Sequence, residues 1–101
     1  MTITYDYTVQ INGCDFDFED KSWCDEHYTL KEIVFDTLEQ AQNFVRNITA
    51  EQALEWERET NCNGLDVLIF KDEVLEGGNY DDFEIVGERE FVGGEENGTW
   101  F

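Results

Sequence analysis

Residues 3–19 alternate between apolar and polar side chains, apart from the dipeptide Asn12-Gly13 in the middle. An alternation of period two is typical of a β-strand that buries one face. Asn-Gly is also the dipeptide that best fits a type I′ hairpin turn, because both of its residues readily adopt positive φ. The pattern therefore predicts a hairpin that turns at this dipeptide and places Asp6 opposite Glu19 on its polar face.

The middle of the chain carries a helical pattern instead. Apolar residues recur at helical spacing over residues 38–48, directly after a capping box formed by Thr37 and Gln40. Thr49 repeats the capping signal and predicts a second helix over residues 50–60.

Further strands are predicted on both sides of this helical pair. Residues 28–35 and 83–92 each have strand character, and the apolar run 65–70 fits a central strand covered on both faces. A turn is expected at Asp72 and Glu73, followed by a short strand at Val74 and Leu75.

The predicted order is β-β-β-α-α-β-β-β. This order describes one α+β domain over residues 1–101, in which residues 93–101 form a loose tail. Its sheet is expected to be mostly antiparallel, with about five to six strands and the two helices packed on one face.

Charge changes this picture more than any motif does. The chain of 101 residues holds 25 Asp and Glu against 6 Lys and Arg, which gives a net charge of -19. Such a charge often indicates disorder, but 41% of the residues are hydrophobic and their positions are periodic, so we predict a folded domain. Because its field repels phosphates, we expect no direct binding of nucleic acid or membrane, and a strongly basic protein as the partner.

The sequence offers little for catalysis or metal binding. Cys14, Cys24, His27 and Cys62 could together form a Cys₃His zinc site. Free thiols are the simpler interpretation, since an odd number of cysteines without a secretion signal does not suggest disulfides. We therefore expect no cofactor, no enzymatic activity and a cytoplasmic location, given a single histidine and no apolar stretch of membrane-spanning length.

The arrangement of the carboxylates suggests a binding surface. Like charges opposite each other on paired strands destabilise a sheet by ~0.2–1 kcal/mol, so such placements often mark a functional surface. Same-face residues along a strand are about 6.6 Å apart, which makes a regular row of charge, as the phosphates of DNA do. The residues expected to bind the partner are Asp6, Asp15, Asp17, Glu19, Asp20, Asp72, Glu73, Glu76, Asp81, Asp82 and Glu84.

Two acidic segments, Asp15-Phe-Asp-Phe-Glu-Asp20 and Tyr80-Asp-Asp-Phe-Glu84, carry a resemblance to a known group of proteins. In these segments, in size and in acidity, the chain resembles the phage-encoded DNA-mimic inhibitors: anti-CRISPR proteins, anti-restriction proteins and inhibitors of uracil-DNA glycosylase. The resemblance implies a nuclease inhibitor, preferably an anti-CRISPR protein that blocks a Cas effector in the host cytoplasm. The alternatives are an acidic immunity protein that neutralises a toxin nuclease, and a zinc-stapled structural or regulatory protein.

Overall fold

The architecture is that of a computed structural model, which describes residues 4–74 and 80–101. The described strands form one antiparallel sheet in the order β2-β1-β3-β4-β5. The predicted α+β class, with one antiparallel sheet and two helices, is confirmed. The elements are β1 (Thr4–Asp17), β2 (Ser22–Phe35), α1 (Leu38–Arg46), α2 (Ala50–Thr60), β3 (Gly64–Val74), β4 (Tyr80–Val92) and β5 (Glu95–Trp100).

The predicted turn at Asn12-Gly13 is wrong, because β1 continues straight through this dipeptide. The chain reverses only after Asp17, in a turn that ends at Lys21 with a φ of 53°. Gly13 is instead a point of close approach, since a Cβ there would collide with the side chain of Thr60 on α2. Gly13, which was expected to adopt positive φ in a turn, therefore provides the space in which α2 packs against the sheet.

Asn12 also has a structural role inside the sheet. Its side chain is buried, its amide donates to the backbone oxygen of Asp66 at 3.3 Å, and its own oxygen accepts from the hydroxyl of Thr29 at 2.7 Å. These bonds join β1 to both of its neighbours, which explains how an Asn is accommodated in the middle of a strand.

Both helices begin where their capping signals predict. The hydroxyl of Thr37 accepts from the backbone N–H of Gln40 at 3.2 Å, and the Gln40 side chain accepts in return from the N–H of Thr37. At α2 the hydroxyl of Thr49 accepts from the backbone N–H of Gln52 at 3.1 Å, and Asn61 ends the helix with a φ of 58°. Within the described residues, no helix is long and apolar enough to span a membrane.

Both helices pack on the same face of the sheet. Among residues 4–74 and 80–101, the helices cover one face of the apolar run 65–70 and no element covers the other, which differs from the predicted cover on both faces. The core consists of Val9, Ile11, Leu65, Val67, Ile69 and Phe91 from the sheet with Ala41, Val45, Ile48, Ala53 and Trp56 from the helices.

A bulge in the pairing of β3 with β4 changes which residues of β4 face the helices. Ile69 pairs with Gly87 while the next residue, Phe70, pairs with Ile85, so β4 carries one extra residue. The sequence predicts Ile85 and Phe91 on the same side, but this bulge turns Ile85 away from the core that holds Phe91.

The expected loose tail is also wrong, because most of it forms β5, which pairs with β4. Gly93 and Gly94 make the connecting turn with φ of 60° and 80°. The buried side chain of Glu57 on α2 accepts from the backbone N–H of Gly93 at 2.8 Å, which ties the turn to the helix.

The predicted turn at Asp72 and Glu73 lies inside β3, where these residues pair with β1. Val74, predicted to begin a short strand, is the last residue of β3. Its expected continuation at Leu75 lies outside the described residues.

We predict that Gly13→Ala destabilises the domain by about 1–3 kcal/mol, because the new methyl group overpacks the contact with Thr60. Thermal unfolding monitored by circular dichroism measures the change. The control is Gly98→Ala in β5, where a Cβ would meet nothing within 4 Å. Equal melting temperatures for the two variants would show that α2 does not need the space at Gly13.

Candidate interaction surface

The face of the sheet opposite the helices, here called the open face, is not covered by any described element. Directly paired residues of an antiparallel sheet share a face, so the register places the side chains of the open face in rows that cross the strands. Four of these rows are Asp6–Asp72, then Val34–Thr8–Phe70–Ile85, then Glu32–Gln10–Leu68–Glu88–Trp100, and then Thr29–Asn12–Asp66–Glu90–Gly98.

The ionisable side chains in these rows are all acidic. Carboxylates occur elsewhere on the molecule too, so the distinguishing property of the open face is that no Lys or Arg accompanies them. The open face therefore carries a one-sign field. The six carboxylates of these four rows are Asp6, Glu32, Asp66, Asp72, Glu88 and Glu90.

The sheet's own basic residues lie on the helix side. The ammonium of Lys31 stands over the ring of Trp56, and Arg89 donates to the backbone oxygen of Val45 at 2.7 Å. Lys71 lies over the ring of Tyr5, on the same side. The remaining basic residues lie in the helices and the β1–β2 turn: Arg46, Arg58 and Lys21.

Three of the carboxylates meet near the start of β3 and the end of β4. Oxygen atoms of Asp66, Glu88 and Glu90, here called the acidic triad, lie within 4.8 Å of one another. An indole N–H donates to each glutamate, from Trp23 to Glu90 at 3.1 Å and from Trp100 to Glu88 at 3.2 Å. The triad is thus held in place from two sides by tryptophans on β2 and β5.

Crowding of like charges affects protonation in the triad. Burial raises the pKa of Asp66 to about 8, and the hydrogen bond and charge of Glu88 and the charge of Glu90 act in the same direction. One oxygen of Asp66, Oδ1, is buried and has no hydrogen-bond partner among the described residues. Near neutral pH the triad therefore retains a proton on Asp66, which reduces the repulsion among its members.

The predicted partner-binding residues fall into separate groups. Asp6 and Asp72 share the first row of the open face, so Asp6 does not face Glu19 as the hairpin prediction required. Glu19 and Asp20 are exposed in the β1–β2 turn, at the other end of β1.

The side chains of Asp15 and Asp17 accept hydrogen bonds from backbone N–H groups. Asp15 accepts from the backbone N–H of Asn63 at 3.1 Å, and Asp17 accepts from the N–H groups of Glu19 and Asp20. Charge reversal at these positions would remove bonds that shape the turn and join it to the segment before β3.

The remaining predicted residues do not belong to the described open face. Glu73 pairs with Tyr5 and Glu84 pairs with Lys71, which are positions of the helix side. Glu76 and the side chains of Asp81 and Asp82 lie outside the described residues.

The sequence prediction missed the centre of the surface. Asp66 is the one polar residue in the apolar run 65–70, and this interruption was the available signal that one face of the strand is open. Glu88 and Glu90 are two residues apart, the spacing of two residues on one face of a strand. The bulge that places Ile85 on the same face cannot be predicted from this spacing.

The candidate zinc ligands are neighbours in the fold: Cys14 pairs with His27, and its Sγ donates to the backbone oxygen of Cys24 at 3.6 Å. None of the three cysteines forms a disulfide within the described residues, and burial raises the pKa of Cys14 to about 11, with Asp66 adding to the shift. Among the described residues, the acidic triad is the one group that places three potential metal-ligating atoms together, and Cys14, Cys24, His27 and Cys62 form no such group.

Comparison of the chain with protein-family models, with curated proteins and with solved structures finds no match.

We predict that the domain loses stability as the pH rises from about 4 to about 8. The folded-state pKa of Asp66, about 8, lies above its usual value of 3.8, so its favourable contribution is present in acid and is lost through this interval. Burial also raises the pKa of Glu57, which acts with the same sign. Asp66→Asn, which mimics the protonated acid, should melt about 4 °C or more above the wild type at pH 8 and level with it at pH 4.

The control for this experiment is Glu55→Gln, which removes the same charge from an exposed position on α2. Thermal melts across the pH range should show no comparable pH-dependent gain in this variant. If both substitutions raise the melting temperature at pH 8 equally, general charge repulsion and not the acidic triad accounts for the profile.

Proposed function

We propose that this chain is an inhibitor that binds the basic nucleic-acid groove of a nuclease as a DNA mimic, foremost an anti-CRISPR protein that blocks a Cas effector. The observation that carries the proposal is the open face, where six carboxyl groups, five of them charged near neutral pH, share one side of a sheet with no Lys or Arg. A groove that holds phosphates is lined by Lys and Arg, and this face offers those side chains acidic partners.

The dimensions of the open face support this function. Asp72 and Asp66 are six residues apart on β3, so at about 3.3 Å per residue their Cα atoms are about 20 Å apart. The carboxylates between and beside them are fixed to paired strands, so a target groove meets a surface that is already arranged. Such a surface competes with nucleic acid by occupying the groove, without any chemical step.

The lack of internal ion pairing supports rapid recognition. Within the described part of the chain, the one ion pair joins Arg89 to Glu96, away from the open-face rows. The charged carboxylates of the open face, which exclude the protonated Asp66, are therefore available to attract an approaching partner, and this attraction raises association rates and makes them sensitive to salt.

We predict that replacing Glu32, Glu88 and Glu90 together by Gln weakens inhibition of nuclease cleavage about 10–100-fold. The substitutions remove acidic partners of groove Lys and Arg side chains while conserving side-chain size. Cleavage assays against a panel of Cas effectors, repeated at increasing salt, measure the inhibition constant and its salt dependence.

The matched control replaces Glu51, Glu55 and Glu59 on α2 by Gln, which changes the net charge by the same amount on the helix side. This variant should inhibit nearly as well as the wild type. Equal losses in the two triple variants would mean that net charge alone acts, and a wild type that inhibits no effector would refute the function.

A further inference from the structure

The second row of the open face carries no charge, and three of its four side chains are apolar, where a simple copy of DNA would be charged. Val34 and Ile85 remain 57% and 46% exposed, and Phe70 and Thr8 lie between them. Isolated exposed apolar residues are common, but these are aligned across four neighbouring strands. The row is about 14 Å long, because neighbouring strands are about 4.8 Å apart.

Acidic residues border this apolar row on both sides. Asp6 and Asp72 lie in the row before it, and Glu32 and Glu88 lie in the row after it. Successive same-face rows are about 6.6 Å apart along the strands, so the two acidic borders are about 13 Å from each other.

We propose that the open face docks a basic amphipathic α-helix of the partner, with the helix axis along the Val34–Thr8–Phe70–Ile85 row. The inference rests on the proposed function and specifies which element of the basic target is bound. An α-helix with its side chains is about 10–12 Å wide, which fits between the acidic borders, and about ten residues span the length of the row.

The charges of the open face favour a basic helix over a second copy of this chain. Apolar side chains on the underside of the helix cover Val34 and Ile85, while Lys or Arg on its flanks extend to the carboxylates on either side. A second copy of this chain would place acidic rows against acidic rows, at a net charge of -19 for each copy. If the partner recognised charge alone, the exposed side chains of Val34 and Ile85 would contribute nothing to binding.

The test compares two synthetic peptides of Leu and Arg, each about 18 residues long. One peptide places its leucines at i, i+3, i+4 and i+7, and the other has the same composition in a scrambled order. The proposal requires the amphipathic peptide to bind about tenfold or more tightly than the scrambled one, as measured by calorimetry at physiological salt.

The variant Val34→Ser with Ile85→Ser should bring the two peptides to similar affinities. Phe18→Ser is the matched control, since Phe18 is 66% exposed but lies in the β1–β2 turn, and it should keep the difference. Glu32→Lys, which changes the charged border and not the apolar row, should also weaken the amphipathic peptide. Circular dichroism melts confirm that each variant is folded.

Equal affinity of the two peptides for the wild type would overturn the inference, as would an unchanged preference in the Val34 and Ile85 double variant. Dimerisation of the free chain that depends on Val34 and Ile85, seen by sedimentation, would overturn it in favour of a second copy. Nuclease assays on the same variants separate this inference from the proposed function. Full inhibition by the double variant overturns the helix-docking inference alone, whereas failure of the wild type to inhibit overturns the function.

Discussion

Two helices of 9 and 11 residues are the described helical cover for a five-stranded sheet, and both pack on the same face. This constraint determines most of the molecule's character. The apolar core lies between the helices and β1, β3 and β4, and the other face of the same strands remains in contact with water. A solvated sheet face is where a protein can place charge without disturbing its core.

The basic residues of the sheet contribute to the fold. Arg89 donates to the backbone oxygen atoms of Val45, Arg46 and Ile48, which lie at and just after the C-terminal end of α1. Lys31 and Lys71 lie over aromatic rings on the same side. Because these cations hold the helix side together, the carboxylates of the open face have no neighbours of opposite sign. The proton retained by Asp66 reduces the repulsion among carboxylates that have no positive neighbour.

Local signals predicted well what local interactions determine. Thr37 and Thr49 cap their helices within one turn, so the sequence located both helices. The Asn12-Gly13 prediction failed because long-range contacts with α2 and β3 decide the use of this dipeptide. Asp66 was missed for a related reason: which face of β3 is open depends on where the helices pack. Glu88 and Glu90 join Asp66 through register, and the bulge beside Gly87 sets the register of β4 with β3.

The two faces of the sheet serve different purposes, and this separation affects how such a protein can evolve. Contacts that maintain the fold involve one set of side chains, whereas recognition is proposed to involve another set that points the opposite way from the same strands. Substitutions at exposed positions such as Val34, Glu32 and Ile85 can alter specificity at little risk to the core. When the target protein changes, substitutions can therefore accumulate on the open face while the core that maintains the fold stays the same.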